Sequence, residues 1–446
     1  MTDNIHRSHY ANQVDDTLIG QEIRIGGWIE DIRDIGKLAF LIVRDITGVV
    51  QAIATGNNLQ IVKEIPRQSV VIVSGFIKKS KAKDFSVELI INKLIPLAKA
   101  VHPLPIDPTG RVESATDKRL DSRALDLRNP KVSAIFIIRS TALQIIRDIL
   151  LSKGFIEVHT PKIIGTASEG GANLFSLEYF KKKAYLAQSP QLYKEQLTMA
   201  MDKVFEIGPY FRAENSHTLR HLTEFISVDV EAAFLDYEDV MDLAEEVIRN
   251  ISTGLSKKCG KHLQLLRDSD SGQENTTSTL AGRAITPIPQ SRMERLTYEQ
   301  CLEDLRKEGQ KMEFGEDLSD ASLRILGEIH KSFYFIIDWP LKLKPFYIHE
   351  KEDNARLSKS FDLQYRYLEL LSGGRRQHDP KKLCARLKDQ GLNTLNFVEH
   401  LKVFEWGMPP HSGWGMGFDR LMMVMTNAHN VRDVVLYPRD TERLIP

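Results

Sequence analysis

The 446 residues suffice for two or three domains with a sizeable core, and a composition of 42% hydrophobic and 27% charged residues excludes wholesale disorder. Sixty basic residues balance sixty acidic ones, so a polyanionic partner must be met by a local basic patch and not by the field of the whole surface. Three scattered cysteines, Cys259, Cys301 and Cys384, give neither a zinc framework nor a disulfide pattern. The polar start has no signal-peptide core and apolar runs such as 70–75 are only strand-length, so a cytoplasmic protein without membrane contact is expected.

In chain order, residues 22–30, 37–44, 48–53, 69–76 and 86–91 read as short strands separated by Gly, Asp and Asn. Five such strands predict a closed β-barrel of the OB type over residues 1–100, with Lys78, Lys79, Lys81 and Lys83 crowding the approach to the last one. Residues 101–134 read as a hinge, because Pro103, Pro105 and Pro108 lack amide donors. From Phe136 the period changes: Ile138, Ala142, Ile145, Ile146, Ile149 and Leu150 share one helical face, and Gly154 is placed to end the helix. A strand at 155–158 stops at Thr160-Pro161. Strands at 204–207 and 333–337 and a helix at 237–251 make residues 135–446 an α+β domain, interrupted at 268–291 by a polar stretch expected to form a mobile surface loop.

Dense polar blocks carry the chemistry. Arg212 and Glu214 follow an apolar run ending at Phe211, and 221–225 returns as a strand, so a charged loop would gather Arg212, Glu214 and Phe225 around one pocket. There Phe225 can stack on a base and Glu214 can accept from an exocyclic amine. Asp362 and Glu369 have odd spacing, which puts them on opposite faces of one continuous strand; only a bulge or turn lets both meet one cation. Residues 372–378 and 413–420 each read as a glycine turn delivering arginines, and guanidinium forks grip phosphate and carboxylate bidentately. The block Gln188-Ser189-Pro190-Gln191-Leu192-Tyr193-Lys194-Glu195 is equally polar, and 165–171 is a flexible loop carrying Glu169. His217, His221 and His411 share no metal-ligand spacing.

In order and spacing these blocks resemble the three motifs of class II aminoacyl-tRNA synthetases: 139–161 the first, Phe211 to Phe225 the second, Gly415 to Arg420 the third. Within the class the whole chain is similar to the aspartyl enzymes of archaeal and eukaryotic type. The resemblance implies an anticodon-binding barrel, a catalytic domain built on an antiparallel sheet with flanking helices, ATP and L-aspartate as substrates, Mg2+ as cofactor, and tRNA(Asp) as partner, with tRNA(Asn) as a further acceptor left open. It also implies a homodimer with Pro161 at the interface. Arg212, Glu369 and Arg420 take the catalytic positions. Ala213, Glu214, Arg220, His221, Leu222, Phe225, Gly417, Phe418 and Asp419 join those three around ATP. Asp362, Glu369 and Ser372 match the metal positions. Glu169, Gln191 and Asp229 fall around the substrate ammonium, Lys194 and Arg376 on its side-chain carboxylate, with Arg212 and Ser372 completing the amino-acid site. In the barrel, Phe40, Gln51 and Glu88 match anticodon contacts. Tyr367 departs from the pattern, standing where a glycine is common.

Such a site activates a carboxylate as its adenylate and passes it to the 3′-terminal adenosine. No side-chain nucleophile is needed; alignment of two repelling anions supplies the catalysis. For aspartate against asparagine, the expectation is that a neutral amide leaves Lys194 without a counter-charge. Asparagine charging, a tRNA-independent amidoligase and an inactive RNA-binding paralogue are the competing readings.

Overall fold

The computed structural model describes residues 5–165, 174–215, 218–267 and 291–445. Glu169, His217 and residues 268–290 of the expected loop lie outside them. Contacts divide the chain into two units, Met1–Pro130 and Lys131–Pro446.

Period-2 burial builds the first unit. Strands β1 (Glu22–Asp34), β2 (Ala39–Asp45) and β3 (Gly48–Ala54) are followed by helix α1 (Gly56–Glu64) and by β4 (Val70–Lys79) and β5 (Val87–Ala98). They close in the order β1-β2-β3-β5-β4. On β2, Ala39, Leu41 and Val43 point inward, and Phe40, Ile42 and Arg44 lie on the outer face. The inward set joins Ile25, Ile29, Val71, Val73 and Leu89 in one apolar core. Glycines and three register irregularities let the barrel close; at Gly27 and Gly75 a Cβ would overlap the carbonyl of the facing strand. Residues 101–134 are not solely a hinge. They contain α2 (Thr116–Asp121), α3 (Arg123–Asp126) and the first turn of α4 (Pro130–Ser152). Pro130 tolerates that first turn because its missing N–H has no helical partner there.

α4 ends as expected at Gly154, in the left-handed region with φ 80°. The Phe155 amide reaches the Leu150 carbonyl and the Gly154 amide reaches Leu151, a paired cap of the last turn. The chain continues through β6 (Ile156–Glu157), β7 (Ile163–Ile164), β8 (Ser176–Tyr179), β9 (Lys182–Leu186), α5 (Gln191–Met201), β10 (Lys203–Phe211) and β11 (Glu224–Ala233). Helices α6 (Tyr237–Lys258) and α7 (Gly260–Arg267) follow, then β12 (Glu294–Thr297), α8 (Tyr298–Lys307), α9 (Asp320–Ile329) and β13 (Phe333–Ile337). The last elements are β14 (Ser360–Tyr365), β15 (Leu368–Arg375), α10 (Pro380–Asp389), α11 (Val398–Phe404), β16 (His411–Gly417) and α12 (Phe418–Thr426).

Eight strands make the main sheet, in the order β12-β13-β14-β15-β16-β11-β10-β6. Every pairing from β13 to β10 is antiparallel, and the edge strands β12 and β6 are parallel to their neighbours. One face carries Val228, Val230, Phe361, Leu363, Trp414 and Met416, buried with the apolar residues of α4, α6 and α12. That leaves the other face for polar side chains. Two readings of glycine-rich stretches change here: 368–375 and 411–417 are strands and not turns. Their glycines serve close approach, since a Cβ on Gly413 would overlap the Val230 carbonyl and the Glu231 carboxylate.

Candidate active site

The polar face follows from register. On β11 the period of two projects Ser227, Asp229 and Glu231 together, facing Gly417, Gly415 and Gly413 on β16. On the other side, Asp362 pairs with Ser372 and Gln364 with Glu369 across the β14–β15 hairpin. A bulge between Leu363 and Gln364 places Leu370 as the extra residue, which flips the parity of β15. Glu369 and Ser372 therefore share a face with Asp362, so the turn and bulge that their spacing demanded are both present. Over this floor lies a cavity of about 430 Å³, continuous in its lining with a second of about 310 Å³.

At one end the cavity is built for an anion. Arg212, just beyond β10, is fixed by its amide to the Thr223 carbonyl at 2.9 Å, and its guanidinium lies 5.3 Å from the Phe225 ring centre. Arg420, in the first turn of α12, donates from Nη1 to the Glu369 carbonyl at 3.1 Å. Arg220 is ion-paired to Asp320, with its guanidinium 5.8 Å from the Tyr367 ring, and lines both cavities. Burial, with Arg420 close by, lowers the His221 pKa below its ordinary value, so this imidazole is neutral at pH 7. Three arginines and the Phe225 ring line one cavity, a combination suited to a purine with its phosphates.

The opposite end is internally balanced. Lys194, on α5, is 3% exposed and donates to Asp229 Oδ1 at 3.0 Å and to the Trp414 carbonyl at 3.2 Å, with Glu231 Oε2 at 3.4 Å. Arg376 grips Glu231 bidentately, Nε to Oε1 at 2.9 Å and Nη2 to Oε2 at 3.1 Å. Burial works against the Arg376 cation, but the Glu231 charge and its hydrogen bonds more than reverse this and hold its pKa above the ordinary value. Two buried cations thus face two buried carboxylates. This corrects the expectation that a neutral substrate would strand Lys194: Asp229 and Glu231 already supply its counter-charge. Gln191 donates to Glu195 Oε1 at 2.6 Å, and both amide atoms of Gln188, buried at the cavity wall, lack a protein partner. An orphaned buried amide at a cavity wall marks a position for ligand contact.

Whether Mg2+ fits can be judged from the hairpin. Lys344 binds Asp362 Oδ2 at 2.6 Å, while Asp362 Oδ1 is buried without a hydrogen-bond partner. Burial first, and then the neighbouring Asp362 charge, raise the Glu369 pKa. A free carboxylate oxygen beside a second, destabilised carboxylate suits a hard divalent cation. Among the described residues no three His, Cys, Asp or Glu side chains converge as ligands, so such a cation would take its remaining oxygens from phosphate and water.

Most of the residues singled out in the sequence meet here. Gln191, Arg212, Glu214, Arg220, His221 and Leu222 line the main cavity, as do Phe225, Asp229, Glu369, Ser372, Arg376, Gly417, Asp419 and Arg420. Asp362 lines the adjoining one. Lys194 does not reach the lining and stands behind Asp229. Phe418 is also absent from the lining: it is fully buried in the core beneath the sheet, with Arg139 over its ring at 4.7 Å. Asp419 doubles as a strut, bound to Arg139 at 2.5 Å and to the Ile226 amide at 2.9 Å. Ala213 is half-buried in the loop and outside the lining. Sequence reasoning missed Glu231, Lys344 and the role of Gln188. Glu231 could have been found as the next residue on the face of Asp229; nothing local marks Lys344.

The remaining expected residues do not line these cavities. On the outer face of the barrel, Gln51 donates to Glu88 Oε2 at 3.0 Å, and Ser80 donates to the same oxygen. Phe40 is half-buried on that face. Pro161 is exposed at a groove of about 550 Å³ lined by Tyr193, Met199, Val403 and Trp406.

Comparison with known proteins agrees with this architecture. The family model described as tRNA synthetases class II (D, K and N) matches residues 115–441, and that of the OB-fold nucleic acid binding domain matches 23–97. The aspartate--tRNA(Asp/Asn) ligase of Methanothermobacter thermautotrophicus is 40% identical over 99% of each chain. The aspartate--tRNA(Asp) ligase of Pyrococcus horikoshii is also 40% identical, over 99% of this chain and 100% of its own. Among solved structures, the asparaginyl-tRNA synthetase from Pyrococcus horikoshii complexed with asparaginyl-adenylate superposes with a TM-score of 0.90 at 32% identity, covering 99% of this chain and 100% of that one.

Proposed function

The chain belongs to the class II tRNA synthetases of the D, K and N group, and from that premise we propose that it activates L-aspartate with ATP and charges tRNA(Asp). The observation that carries this reading is a single cavity with guanidiniums and an aromatic ring at one end and a buried two-cation, two-carboxylate cluster at the other. Arg212 lies where it can hold the α-phosphate and the reacting carboxylate together. The α-carboxylate attacks the α-phosphorus, pyrophosphate leaves, and the 3′-hydroxyl of the terminal adenosine then takes the aspartyl group from the adenylate. Phe225 stacks on adenine, Glu214 accepts from its amine, and Arg420 and Arg220 hold the outer phosphates against their own repulsion. Asp229 and Gln191 receive the substrate ammonium, joined by Glu169. Arg376 meets the side-chain carboxylate directly, and Lys194 supports it from behind through the carboxylates it shares.

Asp362 and Glu369, with the Ser372 hydroxyl, would hold Mg2+, whose contribution is to offset phosphate charge. Phe40, Gln51 and Glu88 read the anticodon by stacking and hydrogen bonding. The enzyme works as a homodimer, the groove at Pro161 belonging to the contact, and it acts in the cytoplasm. No helix among the described residues is long and apolar enough to cross a membrane.

Asparagine charging is the second reading. It draws support from the counter-charges already present on Lys194 and from the likeness to an asparaginyl-tRNA synthetase structure. Pyrophosphate exchange measured with each amino acid separates the two. Exchange driven by aspartate supports the first reading, and exchange driven by asparagine alone overturns it. Charging of purified tRNA(Asp) and tRNA(Asn) then shows whether one acceptor or both are used.

A further inference from the structure

Strands β8 and β9 form a hairpin, paired Ser176↔Tyr185 to Tyr179↔Lys182 with only Phe180 and Lys181 in the turn, and β9 pairs with β7 on its other edge to make a small three-stranded sheet. Its tip is chemically unusual. Phe180 is 88% exposed and sits in the left-handed backbone region at φ 53°, a conformation that favours glycine. A bulky aromatic kept in a strained and solvent-facing position gains nothing for the core, which makes function the better account of it. Tyr179, also exposed, meets it edge-on with ring centres 4.9 Å apart. Lys181, Lys182 and Lys183 follow at once and are all exposed. Among the described residues none of these lysines is in an ion pair, and Glu178 is the only acidic side chain between 176 and 186.

Charge and aromatic surface thus coincide at one projecting point. The position matters as much. From Lys182 the chain runs along β9 into Ala187 and Gln188, the wall of the main cavity, a span of about 20 Å for six extended residues. The Ala187 carbonyl and amide are tied to Phe211 and Lys162, so the hairpin is anchored to the sheet that carries the site. Phosphates need cations, and unstacked bases need an exposed ring; a protein surface or a small metabolite needs neither in this combination.

We propose that this tip, Phe180 with Lys181, Lys182 and Lys183, is a docking surface for the single-stranded 3′ end of the acceptor RNA on its way to the cavity. The inference rests on the synthetase reading given above. Bases stack on Phe180 while the lysines neutralise the backbone, holding the strand before its terminal adenosine enters.

The test uses the full chain and two assays. In the triple variant Lys181→Glu/Lys182→Glu/Lys183→Glu, aspartate-dependent pyrophosphate exchange, which needs no RNA, stays within about twofold of the parent. Its kcat/KM for tRNA falls about tenfold or more at low salt. The logarithmic salt dependence becomes shallower by about 0.7 for each phosphate no longer neutralised. Phe180→Ser lowers kcat/KM for tRNA about tenfold and leaves the salt slope unchanged. The triple Lys→Arg variant restores charging. Should the triple reversal also lose exchange, single Lys→Gln changes and Phe180→Ser carry the comparison. Parental kcat/KM for tRNA in all of them overturns the proposal, as does parental charging combined with lost binding to anionic lipid vesicles. A parent without aspartate-dependent exchange refutes the activity reading instead, so the two failures are distinct.

Discussion

Replacing Lys194 by methionine removes one cation from a balanced set of four buried charges. The side chain is 3% exposed, and its ammonium lies within 3.4 Å of two carboxylates and two carbonyl oxygens. Without it, among the described residues, Asp229 keeps only the Ser227 hydroxyl at 2.6 Å and Glu231 keeps only Arg376 as side-chain partners. Breaking a buried pair in this way costs about 3–5 kcal/mol, because the surviving charge is left in a poor solvent. At about 2–4 °C per kcal/mol the melting temperature falls by roughly 6–20 °C, nearer the low end for a unit this large. Neutralising the orphan returns part of it: the cycle with Asp229→Asn shows a coupling of about 1–3 kcal/mol. Because Arg376 and Asp229 both lose their fixed geometry, the aspartate KM rises roughly 10- to 150-fold, the equivalent of one charged hydrogen bond. Binding of ATP, held at the other end, is retained. Thermal unfolding and amino-acid-dependent pyrophosphate exchange measure both effects. A melting temperature within a degree of the parent, or strictly additive changes in the cycle, would refute the buried-network argument; an unchanged aspartate KM would remove Lys194 from the amino-acid site.

Gly413→Ala forces a methyl into the Val230 carbonyl and the Glu231 carboxylate, so β11 and β16 separate locally; a loss of about 1–3 kcal/mol is expected by chemical denaturation, more if the strands cannot shift. Gly415→Ala places a methyl 3.0 Å from Asp229 Oδ1, so stability changes little while amino-acid binding weakens in the exchange assay. His400 tests pH dependence. Burial lowers its pKa, and Gln196 lies 3.0 Å from its Nδ1, a contact that uses the neutral lone pair. A depressed histidine contributes stability above its ordinary value near 6.5, and loses it as pH falls from there through the folded-state value. The slope should approach about 1.4 kcal/mol per pH unit in that window, and denaturant midpoints between pH 8 and 5 should flatten by that amount in His400→Gln. Phe40→Ala on the barrel raises the KM for tRNA by about 1–3 kcal/mol of lost stacking and leaves exchange unaltered, which parallel charging and exchange assays check.

Where side-chain period and backbone chemistry agree, the sequence is easy to read. The alternation in 39–45 makes β2 with its inward and outward sets as expected, and Gly154 ends α4. Misreadings cluster at glycines. In 372–374 and 413–417 they suggested turns, because locally a glycine signals conformational freedom. Across the sheet it signals the absence of a Cβ, and only the neighbouring strand shows which meaning applies. Residues 116–126 form helices that the nearby prolines concealed.

The amino acids alone determine the order of elements, the residue types that can bind phosphate, and most members of the site, since each is a local property of side chain and spacing. Tertiary structure decides charge balance. Lys194 meets Asp229 and Glu231, which lie 35 and 37 positions further along the chain, and Arg376 meets Glu231 from 145 positions away. A bulge at Leu370 sets whether Glu369 and Asp362 share a face. Electrostatic energy depends on distance and burial, and neither is a property of position along the chain until the strands have paired.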